Sequence, residues 1–488
     1  MTTMNKQPKQ VLIVGGGISG LSTAFFLLQK SQQLHQKLEC TIVEADSRWG
    51  GKILTHHDNG LLIEGGPDSF LSSKPWALAL CEQLGLNQEL LNTTEGNNKT
   101  YIFSRGKLRE FPQGLVAFVP TQLGPLFRNG LLSWPGILRM GGDWVLPPKK
   151  EFAKEESLAA FFRRRLGHEA FNRLIEPLVA GIYAGNAEEM SLAATFPRFA
   201  EIEQQHGGLI KGMLAQRKTS MPSKPTTGPK RTLFVTLQNG LGDLVDTLVQ
   251  RLTTHGATLL TNQKAVTLHP EASAHGAGGY QVTLSDGSIH RTDAVVFSTP
   301  AYSTAALINT MNPDAASVLE DIPYASTGTI SLSFRHHDVQ SVCRGFGFVV
   351  PRIEQRSLIA ATWTSLKWAN RAPADECLIR CYVGGRGRED VFQFTDEELV
   401  EHVRTELQAI IGLTAQPRHA LVSRWMRAMP QYTLGHLERV QKIRTALDTS
   451  PGVFVTGAAY EGIGIPDCIR EAERTSSNLV SFLWPSTH

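Results

Sequence analysis

The chain has 488 residues, 41% hydrophobic and 19% charged, with a formal net charge of +3. One hydrophobic core does not serve that length, so two or three domains are expected, and a charge so near neutral gives no argument for nucleic acid as a partner. Six cysteines (Cys40, Cys81, Cys343, Cys377, Cys381, Cys468) form no C-x-x-C pair. Reduced thiols of a cytosolic enzyme are the plainer reading, and no metal site is expected. Residues 1 to 9 are polar rather than a secretory signal, and no run of 18 apolar residues marks a membrane-crossing helix. A cytoplasmic protein is expected, with surface attachment to a membrane left open.

In chain order, the first element is Gln10-Val11-Leu12-Ile13-Val14, whose unbroken apolar run reads as a strand buried on both faces. Gly15, Gly17 and Gly20 follow as G-x-G-x-x-G, and Leu21 to Lys30 continue at helical spacing. A dinucleotide pyrophosphate approaches a helix N-terminus only where no Cβ screens the amides, so Gly15 to Gly20, with Ile18 and Ser19 between, form a candidate cofactor turn. A second strand, Cys40 to Val43, ends in Glu44, 24 residues past Gly20, where an acid takes both ribose hydroxyls. An acid there favours NAD or FAD over NADP.

Arg48-Trp49-Gly50-Gly51-Lys52 then turns the reading toward FAD. An R-x-G-G turn directly after the ribose acid resembles the flavoprotein group of amine oxidases, phytoene desaturases and porphyrinogen oxidases. Glu64-Gly65-Gly66-Pro67-Asp68-Ser69-Phe70 resembles the next cofactor loop of that group, near the flavin, although taken alone it is also an ordinary turn. Residues 75 to 92 read as a helix, and Tyr101–Phe103 with Leu108–Phe111 as a hairpin. From Pro112 to Pro148 the chain is rich in Leu, Phe, Pro and Gly with Trp134 and Trp144; it reads as membrane-interface helices, the roof of an apolar cavity, or core. Residues 155 to 175 are expected to be helical, with Arg163, Arg164 and Arg165 as a solvated face. Gly181-Ile182-Tyr183-Ala184-Gly185 reads as strand-like or turning. The basic tract Ala215 to Arg231 has the composition of a disordered loop.

Successive strands are expected between Ala257 and Phe297; this insert resembles the one by which that flavoprotein group returns to the dinucleotide domain, which implies the Val266 backbone at the adenine. Alternating segments from about 304 to 445 suggest an antiparallel sheet with covering helices. Last comes a buried strand, Val453–Val455, then Gly457-Ala458-Ala459-Tyr460-Glu461-Gly462-Ile463-Gly464-Ile465-Pro466-Asp467-Cys468, which brings a second helix N-terminus to the cofactor.

Over nearly its whole length the chain resembles the oxygen-dependent, FAD-containing protoporphyrinogen and coproporphyrinogen III oxidases of bacterial haem biosynthesis. The carriers are Gly15–Gly20, Arg48–Lys52, Gly66–Phe70, Gly181–Gly185, His206-Gly207-Gly208-Leu209-Ile210 and, most discriminating, Gly462–Cys468. That tail argues against an amine oxidase or a carotenoid desaturase, and the retained cofactor glycines argue against a non-enzymatic scaffold. The resemblance implies an α/β plus α+β fold: a Rossmann-like FAD domain (8–76, 231–303, 446–485), an antiparallel-sheet substrate domain (77–111, 304–445), a helical membrane-associating domain (112–208) and a flexible loop (209–230). It implies FAD contacts at Gly15, Gly17, Ile18, Ser19, Gly20, Glu44, Ala45, Arg48, Gly51, Lys52, Gly66, Pro67, Asp68, Ser69, Val266, Trp425, Gly457, Ile463, Gly464 and Ile465. Gly181, Phe348 and Tyr382 become candidate slot walls for a porphyrinogen, and Lys99 or Arg105 a propionate holder. Six electrons would leave the porphyrinogen in three flavin cycles, with O2 as acceptor and H2O2 as product and no dedicated catalytic acid or base. The resemblance allows peripheral contact with the inner face of the cell membrane, hand-over of product to a later haem-pathway enzyme, and a homodimer.

Overall fold

The computed structural model describes residues 7–96, 99–112, 115–116, 119–120, 124–149, 155–219, 230–271 and 278–485. Five parallel strands form the dinucleotide sheet in the spatial order Thr258–Leu260, Leu38–Val43, Lys9–Val14, Ala294–Phe297, Val453–Val455. The continuous apolar run of the opening strand has a direct cause. Val11 and Ile13 join the core beneath the first helix, Ile18–Gln33, while Leu12 and Val14 join a second core on the other face. The last helix, Ile465–Leu483, packs along the first.

A seven-stranded sheet runs in the order His419–Pro430, Tyr324–Arg335, Glu376–Gly384, Leu358–Trp363, Gly347–Val349, Thr100–Ser104, Lys107–Glu110. Neighbours are antiparallel except the parallel pair Gly347–Val349 and Thr100–Ser104. One face is covered by the helix Asp396–Ile411, opened by a Thr395/Glu398 capping box; Leu399, Val403 and Leu407 pack on Ile330, Ile379 and Cys381.

The third region is helical, around a core that includes Phe161, Phe162, Leu174, Val179 and Met213. Here the structure departs from several expectations. The helix foreseen over 155–175 is Leu158–Leu166; Gly167, at φ +89°, breaks it, and a short helix and a π-turn lead into Glu176–Tyr183. Gly181 therefore sits inside a helix rather than a strand-like segment, and Ala184 in the left-handed region ends it. The loop foreseen from 209 starts with a helix, Leu209–Thr219, because Leu209, Ile210 and Met213 are buried in the helical core; the rest of the basic tract, 220–229, lies outside the described residues. The helix foreseen over 75–92 stops at Leu84, where Gly85 (φ +82°) caps it, and Leu90–Asn92 becomes a strand.

Arg165 is the largest correction. It is 0% exposed rather than part of a solvated face. Its Nε donates to Asp143 Oδ1 at 2.7 Å, and its Nη groups donate to the carbonyls of Asp143, Leu146, Pro147 and Gly207 at 2.9–3.2 Å. One guanidinium thus satisfies the loop after Trp144 and the turn before Leu209 together. All six cysteines are buried free thiols. Among the described residues no cluster of His, Cys, Asp and Glu suits a metal ion, and no helix is long and apolar enough to cross a membrane.

Candidate cofactor and substrate site

At the C-terminal ends of the parallel strands, the glycine turn and the R-x-G-G turn lie against each other. Gly50 N donates to Gly16 O at 2.8 Å, and a Cβ on Gly51 would stand 3.2 Å from Gly17 Cα. A Cβ on Gly20 would stand 2.0 Å from Gly15 O, so this turn closes only without side chains. Gly17 caps the first helix with no side-chain hydrogen bond and no acid follows in the first turn, leaving the helix N-terminus to an external anion. Glu44 accepts from Gly16 N at 2.6 Å and from Asp46 N at 2.9 Å, which orients its carboxylate beside the turn; Ala45 is exposed next to it. Val266 stands nearby in a β-bulge, and Gln263 N donates to Glu44 O at 2.9 Å.

Arg48 points inward to its own loop, donating to Gly51 O at 2.6 Å and Ile53 O at 3.1 Å. Lys52 is half-buried, makes no ion pair among the described residues, and is pushed below the usual lysine value by burial, against a weaker opposing effect of Cys468. A half-buried cation with no ion pair among the described residues, beside a glycine cradle, suits a bound group with negative charge. On the tail side, Gly457 (φ +113°) abuts Ser19, where a Cβ would stand 3.3 Å from the hydroxyl. Tyr432, fully buried, locks the tail turn: its hydroxyl donates to Ala458 O at 2.8 Å and accepts from Gly462 N at 2.6 Å. Ile463 and Gly464 then lead into the helix that begins at Ile465, and Asp467 in its first turn is paired with Lys74 at 2.5 Å.

The Gly65–Ser69 loop joins this cradle to the seven-stranded sheet. Trp425 Nε1 and Thr329 Oγ1 donate to Gly65 O at 2.7 and 3.0 Å, and Arg380 Nη2 donates to Gly66 O. Pro67 and Ser69 are half-buried beside Asp68, which Ser69 Oγ contacts at 2.6 Å and Lys367 pairs at 3.3 Å. Burial raises the Asp68 carboxyl, but Lys367 and Arg380 outweigh it and hold the group well below the usual carboxylate range. Arg380 and Thr329 escaped the sequence reading, because only strand register brings them to Gly65 and Gly66.

The slot-wall candidates do not share one surface. Phe348 pairs in register with Ala361 and, through it, Cys381; it is 1% exposed and edge-on to Trp363 in the core under helix Asp396–Ile411. Tyr382 lies on the opposite face with Ala360 and Val349. Phe348 is core, and Val349 takes its place on the Tyr382 face. An apolar three-residue strand shows no alternation, so its sequence did not reveal which way it faces. Gly181 is exposed on a helix that packs over the strands Gly347–Val349 and Leu358–Trp363, and a Cβ there would meet nothing within 4 Å. Val349 and Ile463 both abut the helical core. Lys99 is paired with Glu110 at 2.7 Å, at the other end of its strand from Arg105. Arg105 is paired with Glu169 at 2.8 Å. His436 is buried and stacked on Tyr432, and burial pushes it down to about 4, so it is a neutral structural group.

The glycine cradle, the free helix N-terminus and the unpaired Lys52 suit FAD, and together with the fold they define an FAD-dependent oxidoreductase. The sequence matches the family described as flavin containing amine oxidoreductase over residues 18–480. It is 36% identical to coproporphyrinogen III oxidase of Bacillus subtilis (strain 168), over 99% of this chain and 100% of that protein. It is 32% identical to chloroplastic protoporphyrinogen oxidase 1 of Spinacia oleracea, over 97% and 84%. A crystal structure from Exiguobacterium sp. 255-15, assigned as a protoporphyrinogen oxidase, superposes with a TM-score of 0.83 at 31% identity, covering 97% of this chain and 99% of that one. The chain belongs to the flavin-containing amine oxidoreductases, in the branch of the FAD-dependent porphyrinogen oxidases.

Proposed function

We propose that the protein oxidises a porphyrinogen, coproporphyrinogen III or protoporphyrinogen IX, to the porphyrin in haem biosynthesis, passing six electrons to three O2 and yielding three H2O2. The observation that supports this reading is the exposed Gly181, where a Cβ would meet nothing within 4 Å. Its helix packs against the strands Gly347–Val349 and Leu358–Trp363, and Ile463 of the tail turn abuts the same helical core as Val349. A flat apolar macrocycle needs an open apolar slot. FAD, when bound, supplies the two-electron acceptor chemistry and the reaction with O2. The chain's own work is positional: Arg380, Thr329 and Trp425 hold the Gly65–Gly66 carbonyls, Tyr432 holds the tail turn, and the apolar walls exclude water. No side chain is assigned as general base, and aromatisation of the product supplies the driving force. Incubating the FAD-loaded protein with each porphyrinogen in air, and following porphyrin fluorescence and peroxide, tests this. Fluorescence gain no faster than autoxidation with both substrates would overturn it.

Peripheral membrane contact is the second part of the proposal. In the helix Trp134–Gly141, Ile137 and Met140 face inward while Trp134 and Leu138 are 70% and 71% exposed. Val145 is 84% exposed close by in sequence, Phe127 packs at a tilt against Trp134 with ring centroids 4.7 Å apart, and Lys211 lies over Trp144 at 5.7 Å. Apolar rings edged by a cation suit a lipid interface. The double variant W134S/L138S is expected to lose at least three-quarters of its co-sedimentation with phosphatidylglycerol-containing vesicles while keeping FAD; unchanged sedimentation would remove this part of the proposal.

A further inference from the structure

The strands that carry Val349 and Tyr382 run in the same direction, since each is antiparallel to Leu358–Trp363 between them. Val349, Ala360 and Tyr382 are level across the sheet, so both outer strands leave it at the same end. One continues into Val350-Pro351-Arg352, the other into Gly384-Gly385-Arg386-Gly387-Arg388. These two exits are tied together: Arg352 Nη2 donates to Arg386 O at 3.0 Å. Both touch the helix that carries Gly181. Arg386 N donates to Ala184 O at 2.8 Å, and Glu176 accepts from Arg352 N at 2.9 Å.

The charges at this end do not balance. Glu176, buried at the start of the helix, lies 3.6 Å from Arg352 Nε and is the carboxylate that attracts both Arg352 and Arg388. Glu389 is turned away, accepting from the backbone N–H groups of Gly387 and Arg388 at 2.8 and 3.1 Å. Arg386 goes to Glu189 at 3.2 Å. Arg388 is half-buried and has no carboxylate within ion-pair distance among the described residues. Burial and then Arg352 press against its charge, and Glu176 offsets them only in part. Two guanidinium groups against one buried carboxylate leave one positive charge that water solvates incompletely, and a carboxylate ligand would complete the set.

The position of this excess charge says which carboxylate. Along Glu376–Gly384, Arg380 holds the cofactor loop, Tyr382 lies on the slot face roughly 7 Å further on, and Gly385 follows about 10 Å beyond that. Cofactor loop, slot and arginine pair therefore follow one another along a single strand. We infer that Arg388, with Arg352 and Glu176, forms a rim site that binds a peripheral propionate of the porphyrinogen while the macrocycle occupies the slot. The inference rests on the porphyrinogen reading above and names a substrate-holding cation other than Lys99 and Arg105.

The test uses FAD-loaded full-length protein, wild type, Arg388→Gln and Arg388→Lys. Arg388→Gln should raise KM for coproporphyrinogen III at least tenfold, with kcat within twofold and FAD content unchanged, and Arg388→Lys should recover part of the loss. Binding of coproporphyrin III, read by fluorescence, should weaken equally in Arg388→Gln, while binding of its tetramethyl ester stays as in wild type. A merely structural role would move acid and ester alike. Wild-type KM and wild-type acid binding in Arg388→Gln would overturn the rim site and leave the porphyrinogen reading intact. If the variants fail to fold, wild type still decides: equal affinity for acid and ester overturns the inference. A wild type that oxidises neither porphyrinogen fails the functional reading, and the rim site with it.

Discussion

Gly66→Ala is expected to give a folded chain that purifies almost free of FAD, with the flavin-to-protein absorbance ratio lowered at least tenfold. An added Cβ would stand 1.7 Å from the Lys52 carbonyl oxygen, a covalent distance. Neither side yields easily. Lys52 O belongs to the turn whose neighbouring carbonyls, Gly51 and Ile53, are held by Arg48, and Gly66 is held by Arg380 on its own carbonyl and by Trp425 and Thr329 on the carbonyl before it. The clash therefore separates two loops that face one cofactor, and each loop keeps its own fold. Circular dichroism distinguishes this outcome from unfolding. A variant that binds FAD at wild-type stoichiometry would show that the two loops need not be in register.

Arg165→Met is expected to lower stability by about 3–5 kcal/mol, because it strands a buried carboxylate. Asp143 is fully buried and, among the described residues, keeps only the Ile210 N–H, at 2.8 Å, once the guanidinium is gone. Four backbone carbonyls lose a donor at the same time. Urea unfolding followed by tryptophan fluorescence reads the loss, with Trp144 beside the affected loop. Removing both charges, Arg165→Met with Asp143→Leu, should restore part of it, since the penalty lies in the unpaired charge rather than in the missing ion pair. If the double variant is less stable than Arg165→Met alone by the full cost of an independent second loss, the two residues do not act as a pair and the hub described here is wrong.

The parts of the fold legible in the sequence were those written in local chemistry. Gly15, Gly17, Gly20 and Glu44 declare a dinucleotide turn because close backbone approach and an acid at fixed spacing are properties of a short stretch. Arg48 with Gly50 and Gly51 added the flavin through resemblance to a known flavoprotein turn, which is just as local. What stayed hidden depends on partners far along the chain. Three successive arginines look solvated, and only the arrival of Asp143 and the Gly207 turn makes Arg165 a buried hub. Gly181 and Gly185 suggested a turn, yet packing of Val179 and Tyr183 into the helical core carries the helix through Gly181. Phe348, a slot wall only by resemblance to the family, turns into the core because register with Ala361 sets its direction, and a short apolar strand carries no period to show it. Arg388 gave no signal at all, since its significance lies in a neighbour 36 positions earlier and in the carboxylate it lacks.

The strand Glu376–Gly384 has a mechanical consequence. A hydrogen-bonded strand inside a sheet barely stretches, so the span from Arg380 to Gly384 is fixed by covalent geometry, and only the Arg380 guanidinium on Gly66 and the glycine turn after Gly384 complete the distance from cofactor loop to arginines. The strand acts as a ruler. If the rim site holds a propionate, a macrocycle anchored at the far mark would present its reacting carbon at one distance from the near mark, and a carboxylate arm one methylene shorter would draw the ring away from the near mark. Selectivity of this kind would tolerate mutation of the slot walls and would fail on insertion or deletion of a single residue between Arg380 and Arg388.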